Sequence, residues 1–113
     1  GKPTLADVDT VIAYFNETAG TKHPTGGTRA KALAAEILAR LKDNAAPPGG
    51  VPLAIRRCKA VIDEKWAQTT EINGNDRPRF DPTWFRLSTL FRASKFPEYL
   101  EEARTGYEKE RHQ

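Results

Sequence analysis

The sequence predicts an all-α fold, a compact bundle of about five short helices. Apolar residues recur at helical i, i+3 and i+4 spacing along the chain, and cap residues, glycines or prolines bound these stretches. Of the 113 residues, 38% are hydrophobic and 29% are charged, as in folded globular domains of one core. We therefore expect a single helical domain with its core between about residues 4 and 105.

The first two helices have the clearest patterns. Thr4 and Asp7 form a capping box, and Gly20 suits the end of a helix over about residues 5–18. Its apolar stripe is Leu5, Val8, Val11, Ile12 and Phe15. Thr28 is predicted to cap the second helix, with the stripe Leu33, Ala34, Ile37, Leu38 and Leu41. The Pro- and Gly-rich stretch 45–50 then predicts an interhelical turn.

The third helix is expected to begin with Pro52 in its first position and to continue to about residue 69. Its stripe is Ile55, Cys58, Val61, Ile62 and Trp66. Residues 70–80 predict a loop, because Asn73-Gly74 lacks the alternating flanks of a β-hairpin.

Two shorter helices complete the prediction. Asp81-Pro82 marks the start of a fourth helix that ends near Arg92, with the face Trp84, Leu87, Leu90 and Phe91. The fifth contains Phe96, Tyr99, Leu100 and Ala103 and is expected to end at Gly106. Residues 106–113 then predict a charged, fraying tail.

Composition also indicates the cellular compartment of the protein. No apolar run approaches the roughly 18 residues needed to cross a bilayer, and the single Cys58 has no internal disulfide partner. These features favour the cytoplasm and no membrane partner. The chain opens on Gly1 and contains no methionine, so we expect it to be a segment of a longer protein.

Catalytic and metal-binding patterns are weak. His23 and His112 are not spaced as a metal-ligand pair, and Cys58 falls on an apolar stripe. Adjacent Asp63 and Glu64 point about 100° apart on a helix, so they suit no shared acid–base site. Neither common glycine-rich nucleotide loop is present. We therefore expect no enzyme activity, no metal and no cofactor.

The positive charge is concentrated in the middle of the chain. Residues 20–95 contain 14 Lys and Arg against 7 acidic residues, whereas the whole chain has a net charge of +3. Such a region favours a polyanionic partner. The phosphate contacts that we predict for DNA are Arg56, Arg57, Lys59, Arg77 and Arg79. The alternative is a solvated face that is partly neutralised by Asp63, Glu64, Glu71, Asp76 and Asp81.

A second candidate anion site lies before the second helix. Lys22 and Arg29 flank His23, Gly26, Gly27 and Thr28, where backbone N–H groups and the helix dipole favour a phosphate. The alternative is a loop with an ordinary threonine cap and incidental charges.

Aromatic side chains are candidates for base stacking, as in proteins that bind single strands. Core packing is favoured for those on apolar stripes, namely Trp66, Trp84, Phe91, Phe96 and Tyr99. Phe85 lies off the face of its helix. It is therefore either an exposed stacking residue or a cover for a second side of the core.

Three segments resemble a known family. They are residues 11–22, with Tyr14-Phe15-Asn16-Glu17, then Thr89-Leu90-Phe91, and then 95–100, with Lys95-Phe96-Pro97-Glu98-Tyr99-Leu100. They resemble the opening and closing motifs of the conserved phage C-terminal domain found in phage and prophage replication proteins. The layout is similar to that of DnaD-type replisome organisers, which act with a helicase loader.

The resemblance implies a role in phage DNA replication within a bacterial host's cytoplasm, downstream of an N-terminal DNA-binding region. In DnaD-type domains a Tyr-x-x-x-Ile-x-x-x-Trp motif is linked to DNA binding. Ile62 and Trp66 keep that spacing, but Cys58 stands at the tyrosine position. Two hypotheses follow. The chain is a non-catalytic module that binds DNA non-specifically, or it is an interaction module for a helicase, a helicase loader or a second copy of itself.

Overall fold

A computed structural model describes the backbone of residues 1–111 and the side chains of residues 1–105. The helices are α1 (Leu5–Ala19), α2 (Lys31–Asn44), α3 (Gly50–Thr70), α4 (Leu87–Leu90) and α5 (Phe96–Arg111). The chain is 67% helical, and the described part contains no strand. The predicted all-α bundle is therefore confirmed.

The long helix α3 is central to the bundle, and α1, α2 and α5 pack against it. Its residues Ala54, Cys58, Val61 and Ile62 are completely buried. They pack with apolar residues of the other helices, including Val8, Ile12, Phe15, Ile37, Leu41, Leu90, Phe91 and Phe96. Removing this surface from water is the main stabilising contribution to the fold.

Helix α1 has the predicted ends. The backbone N–H of Thr4 donates a 2.8 Å hydrogen bond to the Asp7 carboxylate, and the capping box is present. Gly20 follows the helix with φ 70°, and its N–H donates to the Asn16 carbonyl at 2.8 Å. A left-handed conformation of this kind favours glycine, because a side chain would be strained there.

The predicted cap of α2 is wrong. Thr28 ends a 3₁₀ turn (Gly26–Thr28), and its hydroxyl donates to the Thr25 carbonyl at 3.0 Å. The helix begins three residues later, at Lys31. The reason is tertiary, because Asp9 of α1 binds the N–H of Gly26 and so holds the turn against α1.

Helix α3 departs from the prediction at both ends. It begins at Gly50, so Pro52 is its third residue, still within the first turn where a missing N–H is tolerated. Near the other end Trp66 is 42% exposed, whereas Lys65 is 3% exposed. The buried face continues from Ile62 to Lys65 and Gln68, at i+3 spacing, because α5 packs on that side.

The segment after α3 reverses direction in a short loop. The Asn73 N–H donates to the Arg77 carbonyl, and the Arg79 N–H donates to the Glu71 carbonyl at 2.7 Å. A single bridge joins Ile72 to Pro78. The turn is therefore shaped like a hairpin, which the sequence pattern did not predict. The described residues on either side form no strand, as the absence of alternating flanks predicts.

The predicted fourth helix is broken in two. A 3₁₀ turn (Pro82–Trp84) is separated from α4 by Phe85 and by Arg86, whose backbone is extended. Asp81 caps the 3₁₀ turn, as its carboxylate accepts from the Thr83 N–H at 2.9 Å. The break lets Phe85 turn inward and stack on Phe15 at 4.9 Å, while Trp84 remains outside.

Helix α5 begins at Phe96, as its apolar face predicts, and continues through Gly106 to Arg111. The predicted end at Gly106 is therefore wrong. A single glycine costs a helix interior about 1 kcal/mol relative to alanine, which helix propagation tolerates. Residues 112 and 113 of the predicted tail lie outside the described residues.

Candidate nucleic-acid interface

The basic residues predicted to contact DNA fall into separate places. Arg56 lies near the start of α3, and Arg77 and Arg79 lie in the loop that follows its end. A helix rises about 1.5 Å per residue, so the axis from Arg56 to Thr70 spans about 21 Å. The two groups of arginines therefore lie at opposite ends of α3.

The first place is a groove between α3 and α5, with a volume of about 540 Å³. We call it the α3–α5 groove. It is lined by Arg56, Arg57, Ala60, Pro97, Leu100, Glu101, Ala103 and Arg104. Three guanidinium groups from two helices thus surround a largely apolar floor. Both α3 arginines are exposed.

Two polar contacts orient the rim of this groove. A guanidinium nitrogen of Arg57 lies 3.4 Å from the side-chain oxygen of Asn44, at the end of α2. Arg104 donates a 2.8 Å hydrogen bond to Glu101, which lowers the pKa of that carboxyl. Among the residues whose side chains are described, the groove therefore holds one carboxylate, and that carboxylate has an arginine beside it.

Lys59 does not face this groove. Its ammonium lies over the Tyr14 ring, 5.0 Å from the centroid, on the side of α3 that packs against α1. The Tyr14 hydroxyl donates a 2.6 Å hydrogen bond to Asp63. That bond, together with burial, raises the pKa of Tyr14 to about 12. Lys59 thus belongs to the α1–α3 contact.

An acidic groove of about 650 Å³ adjoins the α3–α5 groove along α5. Its described lining includes Glu64, Glu98, Glu101 and Glu102, together with Arg79. Arg79 therefore lies among these carboxylates, and the acidic groove shares Pro97 and Glu101 with the α3–α5 groove. The predicted residues therefore form two basic sites and not one continuous surface.

The second basic place is the cavity of about 470 Å³ beside the loop after α3. We call it the loop site. It is lined by Arg77, Pro78, Arg79, Asp81, Pro82 and Trp84. Arg79 lies 3.4 Å from Glu71, and both side chains are about half exposed. Trp84 is 58% exposed.

The anion site predicted before α2 is filled from within the protein. Arg29 binds Asp9 through two nitrogens, at 3.0 and 2.9 Å. The Gly26 N–H donates to the same carboxylate at 3.1 Å. The hydrogen bond from Arg29 lowers the pKa of Asp9. Arg29 and the glycine turn thus already have an anion, whereas Lys22 is exposed to solvent.

The aromatic residues divide differently from the prediction. Phe91 and Phe96 are buried and stacked on each other at 5.3 Å, and Tyr99 is buried. The core prediction is wrong for Trp66 and Trp84, which are both exposed. The idea of an exposed stacking role for Phe85 is also wrong, since it is half-buried between Phe15 and Trp66. Its alternative, a cover for the core, is confirmed.

One buried polar cluster, centred on Lys65, was not predicted from the sequence. Lys65 donates to Glu102 at 2.8 Å and to Gln68 at 3.0 Å. Its ammonium also lies 4.6 Å from the Phe80 ring and 4.3 Å from the Tyr99 ring. The only sequence signal was its i+3 spacing from Ile62. The contacts of Lys65 therefore connect α3 to α5 through Glu102 and to the following loop through Phe80.

Cys58 is completely buried, and burial raises the pKa of its thiol to about 12, far from the range of a nucleophile. In the described part of the chain, no three or more His, Cys, Asp or Glu residues are grouped as a metal site. No helix within residues 1–111 is long and apolar enough to cross a membrane.

Comparisons with known proteins leave the family open. No protein-family model matches the chain, and searches of curated proteins and of solved structures find no match either. The resemblance to the conserved phage C-terminal domain therefore stays a prediction that depends on the sequence motifs alone.

Proposed function

We propose that this chain is a non-catalytic module of a phage or prophage DNA replication protein and that it binds DNA non-specifically. The observation that favours DNA is the α3–α5 groove, where Arg56, Arg57 and Arg104 line one concave surface. Guanidinium groups bind phosphate oxygens in bidentate geometry. Contacts to the backbone alone give no sequence preference.

The number of arginines in the two basic sites predicts how strongly the DNA affinity depends on salt concentration. Arg56 and Arg57 in the groove, with Arg77 and Arg79 at the loop site, suit contacts to about four phosphates. The acidic groove repels a phosphate chain laid along α5. For about four contacts, the logarithm of the duplex affinity falls with the logarithm of salt concentration with a slope of roughly −3.6.

Fluorescence anisotropy with a labelled duplex, in salt from about 50 mM upwards, tests the proposal. The double variant Arg56→Ala/Arg57→Ala is expected to bind more weakly and to reduce the steepness of the slope by about one unit for each charge. The matched control is Lys31→Ala/Lys42→Ala, which removes the same charge from exposed positions on α2.

If the control leaves the salt dependence of duplex affinity unchanged, the α3–α5 groove is supported as the binding site. Equal losses in both double variants would instead show a response to net charge, and the groove would not be the site. Absence of any salt-dependent binding by the unaltered chain would overturn the proposal.

The second candidate function is an interaction module for a helicase, a helicase loader or another copy of the chain. It is favoured by the apolar floor of the same groove, which includes Ala60, Pro97 and Leu100. Apolar surface with arginines at its rim is typical of protein interfaces.

Ala60→Arg separates the two functions, because it fills the floor of the groove and adds a positive charge. A DNA-binding groove is expected to keep or increase its duplex affinity in this variant. A protein-binding groove loses its partner, measured by sedimentation for self-association and by titration with a purified helicase or loader. Retained DNA affinity without loss of a protein partner supports the first function.

A further inference from the structure

Trp84 is exposed where its sequence pattern predicts burial. The residue is 58% exposed, as much as any large hydrophobic residue in the described part of the chain. Phe80 contacts it edge-on, with the ring centroids 6.1 Å apart and the planes at 70°. A large indole surface therefore stays in water, which is unfavourable unless something else covers it.

The backbone that carries the indole is held by a 3₁₀ turn. The backbone N–H of Trp84 donates to the Asp81 carbonyl at 2.9 Å, and the backbone N–H of Phe85 donates to the Pro82 carbonyl at 3.2 Å. Pro82 occupies the first position of the 3₁₀ turn, and Asp81 caps it. Below the indole, Phe80 is buried. The backbone of this turn is therefore already ordered before a ligand binds, which lowers the entropy cost of binding.

Two arginines share the cavity with this indole. Arg77 and Arg79 are exposed and line the loop site together with Trp84. Glu71 pairs with Arg79 at 3.4 Å, but both groups are about half exposed, so the pair contributes little and a phosphate can replace Glu71. The Asp81 carboxylate, which lines the cavity, accepts hydrogen bonds from the backbone N–H and the hydroxyl of Thr83.

We propose that the loop site binds single-stranded DNA, with an unpaired base stacked on Trp84 and the neighbouring phosphates on Arg77 and Arg79. This inference rests on the proposed DNA-binding function, and it specifies that the DNA bound at the loop site is single-stranded. In a duplex the faces of the bases are covered by their neighbours, so an indole on the surface reaches them only in a single strand. Stacking tolerates every base, which is consistent with non-specific binding.

The variant Trp66→Phe provides a direct test, since it leaves Trp84 as the one tryptophan in the chain. Titration with an oligothymidylate of about 15 nucleotides is expected to quench its fluorescence. The matched probe is an oligonucleotide of the same length in which every base is removed. It has the same phosphates, and it is expected to bind about 5-fold to 100-fold more weakly.

Trp84→Ala is expected to weaken oligothymidylate binding by about 5-fold to 100-fold, while Trp84→Phe retains most of the affinity. Duplex affinity changes by less than about 2-fold in both variants, because the phosphate contacts remain. Trp66→Phe serves as the control and leaves the affinity for oligothymidylate unchanged. Circular dichroism checks that each variant keeps its helices.

Equal binding of the two oligonucleotides, or unchanged oligothymidylate affinity in Trp84→Ala, would overturn this inference. The proposed DNA-binding function survives that result if Arg56→Ala/Arg57→Ala still loses duplex affinity. If neither duplex nor single-stranded DNA binds the unaltered chain, both proposals are wrong.

Discussion

The ammonium of Lys65 donates a 2.8 Å hydrogen bond to Glu102 and thereby joins α3 to α5, although Lys65 is only 3% exposed. The Glu102 side chain is 38% exposed, so it retains contact with water. The Lys65 ammonium is therefore the buried member of the pair, and hydrogen bonds within the protein take the place of water around it. Removal of one residue should therefore have a different effect from removal of the other.

We expect Glu102→Ala to destabilise the protein by about 2 kcal/mol, because it leaves a buried ammonium with less compensation. Lys65→Met should cost about 1 kcal/mol or less, since an apolar side chain of similar size suits the space between Phe80 and Tyr99. Urea unfolding of both variants measures the difference. A greater loss in Lys65→Met would contradict this account of the pair.

The exposure of Trp66 changes the expected effect of its removal. A fully buried tryptophan would cost about 3–5 kcal/mol on truncation to alanine. Trp66 is 42% exposed and contacts Phe85 at 5.1 Å, so Trp66→Ala should cost about 1–2 kcal/mol. Phe91→Ala, at a completely buried position, should cost about 3–5 kcal/mol. Denaturant midpoints of the two variants provide the comparison, and similar losses would refute it.

The hydrogen bond between Tyr14 and Asp63 predicts a pH dependence at the alkaline end. The pKa of Tyr14 is about 12 in the folded protein, above the ordinary value of 10.0. The folded state therefore holds the phenolic proton more tightly than the unfolded state. The resulting stability is fully present below about pH 10 and is lost as the pH rises towards 12. In Tyr14→Phe this part of the stability profile should disappear, as measured by denaturant unfolding across that range.

The pair of Arg29 and Asp9 is expected to be structural. Arg29→Ala removes the anchor of the turn before α2, so it should lower the melting temperature while the salt slope of duplex binding stays unchanged. Lys22→Ala, a nearby exposed position, should leave the melting temperature unaltered. If Arg29→Ala instead reduced the slope of duplex affinity against salt concentration, Arg29 would be a phosphate contact and the structural account would be wrong.

Gly20 should be costly to replace. Its φ of 70° is strained for any residue with a side chain, so Gly20→Ala is expected to destabilise α1 by about 1 kcal/mol. Gly27 is the matched control, since a Cβ there meets only open space and its φ is not in the left-handed region. Gly27→Ala should be close to neutral in the same thermal unfolding experiment.

The sequence alone determined the fold class and most of the core. The stripes of α1 and α2 and the cap pair of Thr4 and Asp7 depend on residues within one or two helical turns of each other. Such local patterns are legible without any knowledge of the tertiary contacts. The same reasoning correctly placed the break after Asn44 and the loop that follows α3.

Only the tertiary structure decided which polar and aromatic residues face inward. Lys65 replaces Trp66 on the buried face because Glu102, 37 residues later, supplies the partner of its charge. Arg29 is paired because Asp9, 20 residues earlier, lies beside it. The basic residues of α3 and the loop form two sites, since Arg79 lies in a groove lined by glutamates of α5. In each case the residue that determines the outcome belongs to a different helix. A pattern of residues that are neighbours in the sequence therefore cannot predict the contact.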